Sequence, residues 1–480
     1  MSRTETFIAR SRIAAPAEEV FAWHGRPGAL ERLLPPWEKA EVLSRKGDLR
    51  SGGRVELRMH MGPLSVRWTA VHTGFEEGQF FRDEQEAGPF ARWVHTHRVI
   101  PLGPEVCDLE DHVEYELPFG ALGAAAGGGM VRRRLTRMFA HRHRTTARDL
   151  ERHRAFQDAG PLRILVTGAT GLLGTQLCAF LATGGHEVHR LVRGPAHEPL
   201  DISWDPGSPG VPGSVDSARL EGFDAVIHLA GENVGAGRWT RGRKERIRQS
   251  RVEGTRLLAE TLGRLARPPA VLVSASAVGI YGLRGDEGVA EGGAPGSDFL
   301  AEVCQAWEAA TEPARRRGIR VVNARLGVVL TPRGGALARM LPAFQLGLGG
   351  PVGSGRQVMS WVAQDDVLYA LHRAIFDERL VGPMNVVAPG AVTSAEFAHT
   401  LGAVLRRPAF LPLPAAAVRL LFGEMGKTLL LGGARVLPGR LRDVGFTFSQ
   451  ASLEGALREL CGRTDETLTL PEAHTHQLQM

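Results

Sequence analysis

Residues 163–177 read Arg-Ile-Leu-Val-Thr-Gly-Ala-Thr-Gly-Leu-Leu-Gly-Thr-Gln-Leu, and this stretch decides the fold. Ile164 to Thr167 form a compact apolar run of the kind that makes a buried strand. Glycines follow at 168, 171 and 174, and then a segment with helical spacing. Gly168 permits a tight turn, Gly171 lets backbone approach a pyrophosphate, and Gly174 lets the helix pack close to the strand. The free N–H groups of the helix's first turn, at the positive end of its dipole, then face the phosphates. A glycine pattern alone is weak. Here the strand precedes it, the helix follows it, and a second strand, Glu187–Val192, comes roughly 20 residues on. The expected cradle is Gly168, Thr170, Gly171, Leu172, Leu173 and Gly174.

That second strand runs into Arg193 where a reader of the ribose 2′-hydroxyl would be Asp or Glu. An Arg at this edge suits a 2′-phosphate, so NADP is expected ahead of NAD. The plainer reading is a solvent-facing Arg, since only Lys39, Lys46, Lys244 and Lys427 stand among the 58 basic residues. Downstream, Asp224 to Gly231 is a buried strand ending in a small-residue turn. Leu229, Ala230, Gly231 and Glu232 are expected to lie against the cofactor. Strands Ala225–Leu229, Val271–Ser274 and Arg320–Arg325 alternate with helices Gly174–Thr183, Arg243–Leu265 and Leu300–Arg317. Strands alternating with helices mean βαβ units and a doubly wound parallel sheet.

Before residue 160 the texture differs. Thr6–Ile13, Arg54–Met61, Ser65–Thr73, Ala91–Ile100 and Cys107–Leu117 alternate polar with apolar residues, as half-buried strands do. A glycine-rich stretch, Gly120–Gly129, is expected to link them to a long helix from Val131 to about Phe156. A meander of strands closed by one long helix is an α+β helix-grip layout. The expected organisation is therefore two-domain: a helix-grip domain over 1–157, a Rossmann domain over 161–392, a small helical region over 393–462 and a loose tail over 463–480.

Bulk properties agree. A chain of 480 residues holds about three domains' worth of material. With 43% hydrophobic and 23% charged residues, wholesale disorder is excluded. The formal charge of +6 is too thin an excess to mark nucleic-acid binding. The four cysteines form no CxxC pair, which argues against a zinc ribbon or thioredoxin motif and fits a reducing compartment. No apolar leader is visible at the N-terminus. The most apolar stretch, Leu411–Leu437, is broken by Arg419, Glu424 and Lys427, so no membrane span is expected and the cytoplasm is the default.

The segments Ala230-Gly231-Glu-Asn-Val, Gly237-Arg-Trp-Thr, Lys244 to Arg251, Ser274 to Gly282, Arg325-Leu-Gly-Val-Val-Leu330 and Phe344 to Gly355 carry a family likeness. So do Ser360-Trp-Val-Ala-Gln-Asp-Asp366, Met384 to Pro389, Val436-Leu-Pro438 and Gly445-Phe-Thr-Phe448. In these the sequence resembles an atypical epimerase family within the extended short-chain dehydrogenase/reductases, the NAD(P)-dependent epimerase/dehydratase superfamily. The resemblance implies a Rossmann cofactor domain and a small-molecule substrate, with a nucleotide-linked one the first candidate. Lys244 and Arg251, between the strand ending at Gly231 and the next helix, are expected to bind cofactor or substrate phosphates, against a plainer reading in which Arg243–Arg251 is a basic helix face in water, and Arg325 joins the cofactor-binding set.

Ordinary members of that superfamily use a Tyr and a Lys one helical turn apart for proton exchange. This chain has none: four residues after Tyr115, Tyr281 and Tyr369 stand Phe119, Gly285 and Arg373. Alignment with the pattern puts Leu300 at the Tyr and Cys304 at the Lys. Ser276 and Tyr281 are the substitutes expected to act on the substrate, against a plainer reading in which both only pack. Cys304 is expected to be inert packing, and Glu302 and Glu308 to be solvated or ion-paired. Arg238 is a further candidate for phosphate binding. Gln357, Ser360, Trp361 and Asp366 lie where the superfamily keeps substrate contacts and a hinge.

Residues 3–155 resemble the START-like polyketide-cyclase superfamily, on the strength of Phe75 to Gln85, Gly88 to His97 and the basic helix with His141-Arg-His-Arg144. The resemblance implies an apolar small ligand. His95 and His97 share a strand face, but no third ligand is evident, so no metal is expected. The Arg-rich helix, Arg132 to Arg148, is expected to face solvent or acids such as Asp111 and Glu114 rather than nucleic acid. Two functions remain open at this point: an NADP-dependent oxidoreductase of the epimerase/dehydratase type, or a non-catalytic NADP-binding sensor. The oligomeric state is not legible.

Overall fold

The computed structural model describes residues 4–61, 64–207 and 211–464. The chain divides into two compact units. One comprises Met1–Gln157, Ala182–Gly185 and the residues from Gly462 onward; the other comprises Asp158–Leu181 and His186–Cys461.

The first unit is built on a seven-stranded antiparallel sheet with spatial order Glu5–Ile13, Val106–Glu116, Arg92–Gly103, Phe80–Ala87, Leu64–Glu76, Arg54–Met61, Ala40–Lys46. Side chains in a strand alternate between faces. Cys107, Leu109, Asp111, Val113 and Tyr115 accordingly all lie buried on one of them. The helix Gly120–Arg154 covers this sheet with Leu135, Phe139 and Leu150, and the ring of Phe139 stacks on Phe7 at 5.5 Å. A buried bidentate ion pair, Arg32 to Asp149 with both bonds at 2.8 Å, ties the short helix Ala29–Leu33 to it.

Two expectations need correction. The helix begins at Gly120, so the glycine-rich stretch is helical rather than a link. Its alanines offset part of the roughly 1 kcal/mol that each glycine costs, and extending an existing helix needs no new nucleus. The strands Ala40–Lys46 and Phe80–Ala87 also escaped the sequence pattern, because ladder pairing rather than apolar alternation holds them.

The second unit is an eight-stranded sheet in the order Ser214–Val215, Asp201–Asp205, Glu187–Arg193, Arg163–Thr167, Ala225–His228, Val271–Ala277, Arg320–Leu326, Gly382–Val386. All its pairings are parallel except the short outermost one. A parallel sheet is covered on both faces, which explains why Ile164, Leu165, Val166, Ala225, Val226 and Ile227 are fully buried as continuous runs. The chain leaves strand Arg163–Thr167 in one direction and returns on its other side at Ala225. This reversal opens a crevice at the carboxyl ends of the strands, the binding position in doubly wound sheets.

The helix expected over 300–317 is two, Phe299–Ala309 and Glu312–Arg316, broken where Pro313 cannot donate a backbone hydrogen bond. Helices Ser394–Leu405, Ala415–Leu429, Gly439–Asp443 and Leu453–Leu460 make up the C-terminal region. The loose tail expected from 463 lies, from residue 465, outside the described residues. Among the described residues no helix is long and apolar enough to cross a membrane.

Candidate functional site

Gly168 sits at φ +68°, and a Cβ there would lie 2.7 Å from the carbonyl carbon of Leu229. A Cβ on Gly174 would lie 2.1 Å from Gly168 O. Both positions therefore require glycine. Gly171 differs: its Cβ would meet only Gly168 O, at 3.1 Å, so its bareness leaves outward space instead of relieving a clash. Thr170, Gly171 and Leu172 are exposed at the loop tip, while Leu173 and Gly174 turn inward. Gly171 N donates to Gly168 O at 2.9 Å, and Gln364 Nε2 donates to Leu172 O at 3.1 Å, which fixes the start of the helix Leu172–Thr183. This is a cradle that a diphosphate fits: bare, solvent-facing backbone at a helix N-terminus, at the switch point of the sheet.

The strand ends beneath the loop are held by a histidine the sequence reading did not single out. His228 is fully buried, with Nδ1 2.6 Å from Thr167 Oγ1 and Nε2 2.9 Å from Thr255 Oγ1. Trp307 Nε1 donates to Thr255 Oγ1 at 2.9 Å, and Ala230 N donates to Thr167 Oγ1 at 3.2 Å. Burial pushes the imidazole from 6.5 down to about 4. The unfolded chain therefore takes up a proton below about pH 6.5 that the folded chain refuses, so stability falls as pH drops from there toward about 4. The loss from this group is about 3 kcal/mol. His228→Gln keeps partners for both threonines and cannot charge in this range. It is expected to lose less thermal stability between about pH 7 and about pH 5 than the unsubstituted chain; parallel losses would contradict the assignment.

Arg193 is exposed at the end of its strand, with no side-chain partner among the described residues. Arg251 is occupied: Nη1 donates to Glu232 O at 2.9 Å and to Ile247 O at 3.3 Å, and the guanidinium stands 5.0 Å from the Trp307 ring centroid. It braces the turn after Gly231, and burial lowers its pKa. Lys244 pairs with Glu424 at 2.6 Å and stands 4.8 Å from the Phe299 ring centroid. It lines a hollow of about 370 Å³ with Trp239, Arg241, Glu245, Arg248 and Phe299.

Ser276 and Tyr281 prove to belong to one network. Ser276, Arg325 and Asn385 occupy one row across three adjacent strands. Ser276 Oγ donates to Glu308 Oε1 at 2.7 Å, and Arg325 grips both oxygens of Glu308 at 2.7 and 2.8 Å. Arg325 Nη1 also donates to Tyr281 Oη and to Glu291 O, each at 2.9 Å. Tyr281 Oη donates in turn to Asn385 Oδ1 at 2.7 Å. Tyr281 is fully buried, and burial raises its pKa. Arg325 is thus engaged with protein, and Glu308, read only as solvated or ion-paired, is the hub. Neither Glu308 nor Asn385 announced this role in sequence, because their partners come from other strands and helices.

The positions of the missing Tyr-Lys pair, Leu300 and Cys304, are both buried. Burial pushes the Cys304 thiol up to about 12, far from nucleophilic. Trp361 is fully buried and donates from Nε1 to Gly390 O at 2.7 Å. Ser360 bonds the backbone of Ala434 and Val436, Gln357 that of Val352 and Leu430, and Asp366 that of Ser449 and Gln450. These four side chains brace the C-terminal region.

Fold and loop together define a Rossmann-type dinucleotide-binding unit that follows a helix-grip domain. The NAD dependent epimerase/dehydratase family model matches residues 164–386, a domain of unknown function matches 413–460, and the polyketide cyclase / dehydrase and lipid transport family matches 13–144. An epimerase family protein of Mycobacterium bovis is 42% identical over 294 residues, 61% of this chain and 96% of that protein. The crystal structure of a nucleoside-diphosphate sugar epimerase from Corynebacterium glutamicum is 33% identical. It aligns over 96% of this chain and 91% of that one with a TM-score of 0.78. Human epimerase family protein SDR39U1, solved with NADPH, is 35% identical over 63% of this chain and all of that one, with a TM-score of 0.57. The chain belongs to the NAD(P)-dependent epimerase family, with an N-terminal polyketide cyclase/dehydrase domain.

Proposed function

We propose that this chain is an NADP-dependent oxidoreductase acting on a small-molecule substrate of the nucleotide-linked kind. The observation that carries the reading is the glycine cradle at the switch point, with a bare loop tip and two positions that admit no side chain. The human relative solved with NADPH and the corynebacterial relative named as a nucleoside-diphosphate sugar epimerase support the cofactor and the substrate class. Gly168, Thr170, Gly171, Leu172, Leu173 and Gly174 hold the diphosphate, with Leu229, Ala230, Gly231 and Glu232 beside it. Lys244 and its hollow face the substrate phosphates, and Arg251 and Arg325 shape the walls. The nicotinamide, when bound, supplies the hydride acceptor or donor.

In this reading Ser276 replaces the missing pair. Its oxygen would accept the proton of a substrate hydroxyl while its own hydrogen passes along the existing hydrogen bond to the Glu308 carboxylate, which receives the proton. Tyr281 keeps Arg325 in place and acts at one remove. The test is NADPH absorbance on a panel of nucleotide-linked sugars and simple carbonyl compounds. Turnover should vanish in Ser276→Ala while cofactor affinity stays. Arg193 should choose the cofactor: Arg193→Glu is expected to weaken NADPH by about tenfold or more, roughly 1.4 kcal/mol, and to leave NADH unchanged. An equal effect on both nucleotides would remove Arg193 from the 2′-phosphate.

One observation favours a second reading, an NADP-binding sensor without turnover. The positions of the missing pair are apolar, buried and chemically silent. Firm NADPH binding with no oxidation on any substrate of the panel would select it. In either reading the first domain takes an apolar ligand, supported by its polyketide cyclase / dehydrase and lipid transport family. The sparse cysteines, four in 480 residues with no CxxC pair, support a cytoplasmic setting.

A further inference from the structure

The sheet of the first unit carries a cluster that the proposed reaction does not use. Strand register assembles it: Asp83 is paired with His95 across one ladder, and His97 with Asp111 across the next. Residues two apart in a strand and residues directly opposite share a face. All four side chains therefore stand on the face that the long helix covers, between the apolar clusters around Phe81 and around Trp93. The sequence showed His95 and His97 on one face but no third ligand, because Asp83 arrives from a neighbouring strand.

Three donor atoms of the cluster converge closely enough to hold one ion. His95 Nδ1 lies 3.3 Å and His97 Nε2 lies 3.5 Å from one oxygen, Asp83 Oδ2. One donor atom from each of the three residues falls within 4.8 Å of the others. A tetrahedral ion with bonds near 2.0–2.1 Å has ligand–ligand edges of about 3.3 Å. The far nitrogens are tied back. His95 Nε2 stands 2.8 Å from Asp111 Oδ1, and His97 Nδ1 stands 2.6 Å from the same oxygen, though off the direction of a proper hydrogen bond. His143 Nε2 holds the other Asp111 oxygen at 2.6 Å, and its Nδ1 lies 2.8 Å from Ser11 Oγ. A carboxylate on the far nitrogen of an imidazole fixes the tautomer and turns the near lone pair toward an ion. The ring of Phe81 stacks on His97 at 4.1 Å and limits its rotation. His95, His97, Asp111 and His143 are buried, whereas the Asp83 side chain keeps 15% exposure, which leaves one open side.

We propose that Asp83, His95 and His97 bind one divalent first-row transition ion, with Asp111 as the positioning residue. Two imidazoles and one carboxylate select zinc or iron(II) over calcium or magnesium, and they leave coordination positions for water or a ligand oxygen. The ion would place a Lewis acid inside the domain that the family expects to hold an apolar ligand.

The test is elemental analysis of the full-length, untagged chain, purified and then equilibrated separately with zinc, cobalt(II) and anaerobic iron(II). The expected result is one equivalent per chain, and a cobalt(II) visible spectrum of nitrogen–oxygen ligation. Which ion co-purifies distinguishes zinc from iron. Asp83→Asn and His97→Gln should lose the equivalent, with folding verified by circular dichroism and by unchanged NADPH affinity. Asp111→Asn should keep the stoichiometry but weaken affinity by about 10- to 100-fold. If either ligand variant fails to fold, the wild-type stoichiometry and cobalt spectrum decide. A wild-type chain that takes up none of the three ions would overturn the proposal and make the cluster a metal-free ion-pair network. Full retention of the ion in folded Asp83→Asn and His97→Gln would overturn it equally.

Discussion

Gly171→Asp is expected to weaken NADPH binding by about 100-fold or more, roughly 2.7 kcal/mol, while the melting temperature of the free chain moves by no more than a few degrees. The two halves of that result have separate causes. A Cβ at 171 meets only Gly168 O, at 3.1 Å, which a shift of a few tenths of an ångström accommodates. The added carboxylate, by contrast, points into the space reserved for a diphosphate. Two unit charges 4 Å apart near a protein surface repel by about 4 kcal/mol, and the carboxylate also competes for the amides of the first helical turn. Gly174→Ala makes the complementary control. Its Cβ would lie 2.1 Å from Gly168 O, so it should damage stability and binding together. Equilibrium titration of nucleotide fluorescence, with a thermal melt of the same samples, separates the two. Unchanged affinity in Gly171→Asp would move the diphosphate off this loop.

Glu308→Ala is expected to cost about 3–5 kcal/mol of stability, the penalty for leaving one member of a buried ion pair alone. Arg325 and Glu308 keep only 9% and 13% side-chain exposure. Burial opposes the charge on Arg325, yet the hydrogen bonds and charge of Glu308 outweigh it and raise the guanidinium's pKa. Without Glu308 the cation remains, facing Tyr281 and the Glu291 carbonyl but no counter-charge in this pairing. Ser276 simultaneously loses its acceptor, so turnover should fall with stability. Chemical denaturation checks the first effect. A paired apolar replacement, Glu308→Leu with Arg325→Met, should recover much of the stability and none of the turnover, because it removes both charges at once. A loss below about 1 kcal/mol in Glu308→Ala would show the pair to be no more than a surface contact.

The architecture was legible where the physics is local. The loop at 168–174 announced itself because its three glycines stand at the spacing of a phosphate turn, two of them where no side chain fits, and the flanking strand because both its faces are buried. The same logic located the long grip helix and most parallel strands. It failed where structure is set at a distance. Phe80–Ala87 carries Arg82, Asp83, Glu84 and Glu86 and has no apolar alternation, so only its two neighbouring strands make it a strand. Gly120–Gly129 carries five glycines among its ten residues, and what makes it helical is its alanines together with the stable helix that already follows it. In the site, Ser276 and Tyr281 could be nominated by their place in the chain. That both are joined through Glu308 and Arg325 could not, since those residues are brought in by a helix and a neighbouring strand. Asp83 was hidden for the same reason beside His95 and His97.

Isothermal titration calorimetry of the folded, full-length chain with NADPH and, separately, NADH addresses the dinucleotide cradle without any substitution. One nucleotide per chain is expected, with NADPH the tighter of the two. A folded chain that takes up neither nucleotide would contradict that expectation.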